Sequence, residues 1–123
     1  MNEVVIKAAR KQLESMYRGR CTVYTVETVT DEITHLSRSE QNILYDNVPC
    51  HKSYDSSNMT DEYGGSRVVQ TVTLFIGSEY DIQEGTKIKI TQDNRTETFA
   101  RSAPPKIYPT HQEIQIERVE EWA

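Results

Sequence analysis

Two cysteines and three histidines are the residues of this chain whose types could do chemistry. Cys50 and His51 are adjacent, and adjacent side chains of a strand point to opposite faces. A metal site there would need partners from elsewhere that no spacing in the sequence announces. Cys21 and Cys50 also fit no disulfide framework, so we expect free thiols in a reducing cytoplasm. The sequence therefore predicts no metal site.

Two further groups of residues resemble parts of catalytic or binding sites. His111 and Glu113 would share one face of a strand and could pair there, but no nucleophile or oxyanion hole stands beside them. Gly64, Gly65 and Ser66 lack the lysine and the strand–loop–helix context of a phosphate cradle. They better fit a hinge at which a long loop rejoins the sheet. We expect a protein that is not an enzyme and needs no cofactor.

Length and composition indicate one domain, residues 1–123, with a thin core. Hydrophobic residues make up 36% of the chain and charged residues 27%, so burial against sister subunits is expected to supplement the core. The net charge of −5 argues against a general nucleic-acid binder, which would carry a basic face. The sequence has no secretory signal and no apolar run of membrane-spanning length, which predicts a soluble protein that is not exported.

The first predicted element is a helix over about residues 2–18. Apolar residues recur there at spacings of three and four, and Gly19 stands where a helix C-terminus favours a left-handed residue. Two arrangements fit this helix. It either lies on the rest of the domain with Ile6, Leu13 and Tyr17 in the core, which we favour, or it is a docking arm that swaps onto a neighbouring subunit.

Residues 20–119 show the alternation and the β-branched content that are typical of strands. Residues 33–36 can continue the sheet, and residues 37–40 are predicted to form a loop. Pro49 restricts its strand to an edge or a bulge. The fold class predicted is mainly β (α+β), a small antiparallel β-barrel or sandwich with one N-terminal helix and a long inter-strand loop. Strands are predicted at residues 21–26, 42–51, 67–76, 87–91, 96–100 and 113–119, with a hairpin turn at residues 93–94.

The long loop is the polar stretch at residues 54–67, between two predicted strands. A loop of this length without apolar periodicity is uncommon in a compact domain and is usually functional or disordered. It carries three acidic residues and one arginine, so it would repel a phosphate backbone rather than bind it. A plain solvated surface loop fits the same charges.

Four short motifs follow one another along the chain: Val-Pro-Cys-His-Lys-Ser-Tyr at 48–54, Arg-Val-Val-Gln leading into Thr-Leu-Phe within 67–75, Ile-Gln-Glu-Gly-Thr-Lys-Ile at 82–88, and Tyr-Pro-Thr-His-Gln-Glu-Ile at 108–114. Together they resemble the head-completion proteins of tailed phages. The likeness is greatest to the small head–tail connector proteins of PBSX-type prophages in Bacillus, and it covers roughly residues 1–119.

The resemblance implies a stopper, a barrel subunit that assembles as a ring beneath the portal after DNA packaging. Its long loop would project into the channel and close it. The partners implied are sister subunits, portal or adaptor proteins, tail-completion proteins, and packaged DNA that passes without sequence-specific binding. The locations implied are the bacterial host cytoplasm during assembly and then the virion, with no membrane. The plug residues implied are Asp55, Ser56, Ser57, Asn58, Met59, Thr60, Asp61, Glu62, Tyr63, Gly64, Gly65 and Ser66.

Two other functions remain open on the sequence. A tail-completion or tail-terminator protein would keep the same structure and change only the docking partners. A small ligand-binding barrel would instead use residues 54–67 as a lid over a pocket near His51, Tyr54 and His111.

Overall fold

The computed structural model describes residues 3–60 and 62–119 and contains one helix and seven strands within those ranges. In chain order they are α1 (Glu3–Met16), β1 (Gly19–Thr30), β2 (Ser37–Thr60), β3 (Ser66–Ile76), β4 (Lys87–Gln92), β5 (Arg95–Arg101), β6 (Lys106–Ile107) and β7 (Gln112–Arg118). Helix α1 is too short to cross a membrane, and the described residues hold no other helix.

Six of the strands close into an antiparallel barrel. Their order is β3-β2-β1-β4-β5-β7, and β7 pairs back with β3 from Val72↔Ile116 to Ile76↔Gln112. The short strand β6 adds to the free side of β7. The structure confirms the predicted class, a mainly β fold with one helix at its amino end.

The barrel interior is filled by apolar side chains from every strand of the closed sheet. On β4 the alternation is regular: Ile88 and Ile90 are buried, whereas Lys87 and Lys89 face outward. Burial of each such side chain contributes about 1.5–3 kcal/mol. The core comprises Cys21, Val23, Val48, Cys50, Leu74, Ile76, Ile82, Ile88, Ile90, Phe99, Ile114 and Ile116.

Helix α1 lies outside this core. Ile6, Leu13 and Tyr17 are only half-buried and no residue of the helix is fully buried, so the expectation that they belong to the core is wrong. The reason is closure of the barrel, which completes its core from the strands and the β3–β4 connection without the helix. The helix is tied to the barrel by Arg10, whose guanidinium donates to the Pro109 carbonyl at 3.0 Å and to a serine hydroxyl at 3.2 Å. Residue 2, included in the predicted helix, lies outside the described residues.

Strands β1 and β2 are longer than the sequence indicates. Residues 37–40, expected as a loop, belong to β2, and residues 33–36, expected to continue the sheet, form the turn between the two strands. Residues 37–40 were missed because a strand exposed on both faces carries no apolar alternation to mark it. Residues 33–36 contain the apolar Ile33 and Leu36, which suggested a strand but are exposed in the turn. Pro49 pairs with Arg20 of β1, and β2 pairs with β3 only from Cys50 onward, so the proline has no strand partner on that second side. β2 as a whole lies between β1 and β3 and is not an edge strand.

The β4–β5 hairpin agrees with its prediction. Asp93 and Asn94 have φ angles of 52° and 64°, the left-handed values that a two-residue hairpin turn requires. This turn places Gln92 at the barrel end where β2 leaves the closed sheet, which matters for the site described next.

Candidate functional site: a projecting ribbon and its base

The polar stretch expected to be a loop is a β-hairpin. Strands β2 and β3 continue to pair beyond the barrel, from Asp55↔Thr71 to Thr60↔Ser66, while the pairing of β3 with β7 ends at Val72. We call residues 55–60 and 66–71, with their connection, the β2–β3 ribbon. Its six residue pairs extend roughly 20 Å. The prediction of an irregular loop over residues 54–67 is therefore wrong, but the projection that it implied is present.

The β2–β3 ribbon has no buried side chain among those that the structure describes, which explains why its sequence shows no period. Asp55, Ser56, Asn58 and Thr60 are exposed, and so is Val68, with 71% of its surface accessible. A strand needs a buried face to alternate, and these residues have none. Backbone pairing with the β-branched end of β3 holds them in strand conformation.

The tip of the ribbon is a short turn rather than a long loop. Glu62, Tyr63, Gly64 and Gly65 lie in it, and Asp61 lies outside the described residues. Gly64 has a φ of 84°, a left-handed angle that glycine adopts without strain. The two glycines therefore belong to the turn itself, and Ser66 is already the first residue of β3.

Gln92 of β4 fixes the base of the ribbon to the barrel from the far side of β1. Its side-chain oxygen accepts from the Lys52 backbone N–H at 2.9 Å, and its side-chain nitrogen donates to the Lys52 carbonyl at 3.1 Å. Gln92 is 4% exposed, so these bonds lie away from solvent. Strand β1 begins at Gly19, opposite Cys50, so it does not extend alongside Lys52. The Gln92 side-chain amide therefore satisfies the two Lys52 backbone groups that β1 leaves without a partner.

We call these two hydrogen bonds between Gln92 and Lys52 the Gln92 clamp. An ion cluster that includes the buried Lys52 side chain lies beside it. Lys52 Nζ bonds Glu97 Oε1 at 2.9 Å, and Arg118 bonds the other oxygen of the same carboxylate. The Lys52 and Glu97 side chains are only 5% and 12% exposed. The ammonium also lies 5.3 Å from the ring centroids of both Tyr54 and Phe99, a cation–π geometry.

The cluster sets the charge state of its members. Burial lowers the pKa of Lys52, but hydrogen bonds to Tyr54 and Glu97 outweigh it and the net shift is upward. The hydrogen bond from Lys52 lowers the pKa of Glu97 against the opposing effect of burial. Both residues are therefore charged at neutral pH, and the base of the ribbon is held by a closed ion pair.

These anchoring residues were not predicted from the sequence. Gln92 follows Ile88 and Ile90 at the inward positions of β4, so alternation alone could have placed it inside. Lys52 likewise follows Cys50 by two residues and shares its inward face. Nothing in the sequence pairs either residue with its partner, because that contact is made across the barrel.

His51 and His111 lie on the outer wall of the barrel. His51 and His111 flank Phe75, each with its ring centroid 6.3 Å from that of the phenyl ring, and Tyr108 stacks on His111 at 5.0 Å. His111 Nε2 lies 3.0 Å from Glu113 Oε2, so the pair that the sequence suggested is formed. Strand β3 separates the two histidines.

An open cleft of about 370 Å³ lies at the base of the ribbon. His51 and Tyr54 line it but His111 does not, so the pocket expected near all three residues is only partly formed. Its walls carry both charges, with Arg18 paired to Asp93 at 3.4 Å. The Nδ1 atom of His51 has no hydrogen-bond partner among the described residues. Burial and the positive charge of Arg18 lower the pKa of His51.

The two cysteines, expected as free thiols, are free and buried. Cys21 and Cys50 are 2% and 0% exposed on neighbouring strands. A hydrogen bond to Cys50, followed by burial, raises the pKa of the Cys21 thiol. Both thiols act as small core residues, with no exposed sulfur for chemistry.

These features define a small closed barrel with one long two-stranded ribbon anchored by a buried polar cluster. The chain matches no family model and no curated protein. Among solved structures it is similar to the phage-like element PBSX protein xkdH from Bacillus subtilis, with 16% sequence identity and a TM-score of 0.47. The match covers 80% of this chain and 91% of that chain. A likeness at this level concerns the general fold and transfers no function.

Proposed function

We propose that this protein is a structural component of a phage or prophage head–tail connector, a stopper whose copies form a ring under the portal. The β2–β3 ribbons of the ring converge on its axis and close the DNA channel. The observation that carries the proposal is the ribbon itself, six residue pairs extending beyond the barrel from a fixed base. The sequence resemblance to head-completion proteins agrees with this role.

The composition of the ribbon suits a gate that DNA must later pass. Its charged residues are Asp55, Asp61, Glu62 and Arg67, a net charge of −2. An acidic surface repels the phosphate backbone and does not hold it. Both long edges of the ribbon carry backbone groups without a strand partner among the described residues, and such edges can pair with a second strand. Neighbouring ribbons can therefore pair with one another through their backbone edges, while their acidic side chains repel the DNA backbone.

A paired ribbon moves differently from a loop. Its strands hold each other in register, so opening requires a swing of the whole hairpin rather than disorder of a few residues. The natural pivot is at Ser53 and Tyr54, just beyond the Gln92 clamp and before the unsupported pairs begin. Gating in this proposal is a rigid-body motion about that base.

The deciding experiment shortens the ribbon without changing which face its tip presents. Removing residues 56–59 together with residues 67–70 deletes four register-matched pairs, about 13 Å of ribbon, and keeps the alternation of the remaining pairs. We expect particles that assemble and join tails but lose packaged DNA, measured as nuclease-protected DNA in purified particles.

The matched control keeps the full length of the ribbon and substitutes exposed residues within the two segments that the shortened variant lacks. Ser56→Thr, Asn58→Thr and Gln70→Thr together favour strand conformation, so DNA should be retained. Thermal unfolding of both variants checks that the barrel folds. If particles with the shortened ribbon retain DNA as well as the control particles do, the ribbon has no gating role. If they fail to join tails, the protein acts in tail completion instead.

The ligand-binding alternative differs in a measurable way. The barrel interior is occupied by the apolar core, and residues 55–60 pair with β3 instead of folding over the cleft. A lid protein would be a monomer whose ribbon gains hydrogen-exchange protection when a small molecule binds. The stopper proposal expects protection of the ribbon only on assembly of the ring.

A further inference from the structure

A second ribbon leaves the barrel at the other end of strand β2. Strands β1 and β2 pair from Thr25↔Asn42 to Thr30↔Ser37, beyond the last pair of β1 with β4 at Tyr24. We call residues 25–42 the β1–β2 ribbon. It contains four acidic residues and one basic residue, and all five are exposed: Glu27, Asp31, Glu32, Arg38 and Glu40. Its net charge is −3, from four negative charges and one positive charge.

The tip of the β1–β2 ribbon is an ordered structure. Asp31 Oδ1 accepts from the Ile33 N–H at 2.8 Å and from the Thr34 N–H at 3.2 Å. The backbones of Asp31 and Leu36 close the turn at 2.9 Å. This turn holds Ile33 and Leu36 in solvent at 90% and 70% exposure. A fixed protrusion with apolar residues loses little conformational entropy when it docks.

The outer wall of the barrel beside this ribbon carries the opposite charge. Arg20 of β1 and Lys87 and Lys89 of β4 point outward, and we call these three residues the basic wall. Arg20 lies opposite Thr91 and Lys89 opposite Thr22, so the two cations are diagonal neighbours about 7–8 Å apart at their backbones. The remaining outward residues of β4 and β5 along this wall are threonines and an alanine: Thr91, Thr96, Thr98 and Ala100. A carboxylate beside this wall, Asp46 of β2, accepts a hydrogen bond from Thr22 at 2.9 Å.

The tip of the β1–β2 ribbon cannot reach the basic wall of its own chain. Asp31 follows Arg20 by eleven residues along one continuous strand, a separation of roughly 35 Å. The pairing with β2 keeps that strand extended and directs the tip away from the wall. The acidic tip can therefore meet a basic wall only on another molecule.

We propose that the β1–β2 ribbon of one copy of this protein docks on the basic wall of a second copy. The contact joins two different surfaces, so repetition of it produces a ring when the rotation closes. This inference rests on the proposed function and names the interface between neighbouring subunits. The two ribbons then have separate tasks: the β1–β2 ribbon holds the ring together, and the β2–β3 ribbon closes it.

The test exchanges charges between the two surfaces. One variant carries Arg20→Glu and Lys89→Glu on the wall, and the other carries Glu27→Lys and Glu32→Lys on the ribbon. Asp31 and Glu40 are left unchanged because Asp31 holds the turn and Glu40 pairs with Arg38 at 2.7 Å. Sedimentation velocity over a concentration series at low salt measures self-association. We expect each variant alone to associate roughly tenfold more weakly than wild type, or worse, because like charges face each other.

Rescue separates this interface from a general effect of net charge. A chain with both pairs of substitutions, and a one-to-one mixture of the two variants, should each regain association because every contact again joins opposite charges. The control Lys7→Glu with Lys11→Glu makes an equal charge change on exposed positions of α1 and should associate as wild type does. Raising the salt concentration should weaken wild-type association.

Three results would overturn the inference: a wild-type chain that stays monomeric throughout, a wall variant that associates normally, or loss without rescue by charge exchange. The outcome is independent of the DNA-retention experiment. If the charge exchange fails while the shortened β2–β3 ribbon still leaks DNA, the interface is wrong and the stopper role stands. If rescue occurs while shortened particles keep their DNA, the interface stands without the gate.

Discussion

Gln92 grips the backbone of Lys52 with both atoms of its side-chain amide, accepting from the N–H at 2.9 Å and donating to the carbonyl at 3.1 Å. The side chain thus takes the place of a strand at the point where β2 leaves β1. It holds the base of the β2–β3 ribbon in place without an additional strand. The stability of that base should therefore depend on a residue far from it in sequence.

The first prediction concerns this clamp. Gln92→Leu leaves both Lys52 backbone groups buried without partners, so the free energy of unfolding should fall by about 1–3 kcal/mol. Hydrogen exchange at the Lys52 amide should accelerate, and urea unfolding measures the stability. The control is Gln115→Leu, an exposed glutamine of β7, which should change stability by less than about 0.5 kcal/mol. Equal losses in the two variants would show that the clamp has no special role.

The second prediction separates the two members of the buried ion pair. Glu97→Gln leaves the 5% exposed Lys52 without its counter-charge and should cost about 3–5 kcal/mol. Lys52→Met should cost less, because Glu97 keeps its bond to Arg118. The double variant should lose less than the sum of the two single variants. Urea unfolding of all four proteins tests this order, and strictly additive losses would contradict it.

The same pair predicts an acid dependence. The pKa of Glu97 is lowered in the folded state, so its stabilising effect is present above the ordinary glutamate pKa and is lost as the pH falls through the folded value. The stability difference between wild type and Glu97→Gln should shrink below about pH 4. A difference that stays constant down to pH 2 would rule out this linkage.

The third prediction concerns His51. Burial and Arg18 lower its pKa, so the unfolded chain takes up a proton near pH 6.5 before the folded chain does. Stability should therefore decline as the pH falls below about 6.5, and His51→Gln should reduce that decline. Melting temperatures at pH 5 to 8 provide the measurement. His35→Asn serves as the control for loss of a histidine, since His35 is exposed and asparagine tolerates its φ of 58°.

The fourth prediction concerns the buried thiols. The hydrogen bond to Cys50 and burial raise the pKa of Cys21, so the unfolded chain loses this proton first as the pH rises. Stability should fall above about pH 8.5, and Cys21→Ala should flatten that fall. A thiol reagent should label Cys21 and Cys50 only after unfolding in urea. Rapid labelling of the native protein at neutral pH would contradict the burial of both sulfurs.

The parts of the fold that were predictable are those with one buried face. The β4–β5 hairpin carries strict alternation and an Asp-Asn turn, and its boundaries agree with prediction within one residue. β7 and the barrel part of β3 also alternate, because half of their side chains enter the core. Residues 37–40 and 54–60 of the two ribbons were predicted wrongly for the opposite reason, since the described side chains of the ribbons form no buried face.

The amino-acid sequence by itself determined a small, thin-cored, mainly β domain with an acidic polar stretch after Tyr54, because composition and apolar period act locally along the chain. Only the tertiary structure decided that this stretch is a ribbon, that Gln92 and Glu97 anchor its base at Lys52, and that an acidic ribbon and a basic wall lie on one molecule. The contacts at Lys52 join residues up to 45 positions apart. They depend on which strands become neighbours when the barrel closes, and no local pattern records that choice.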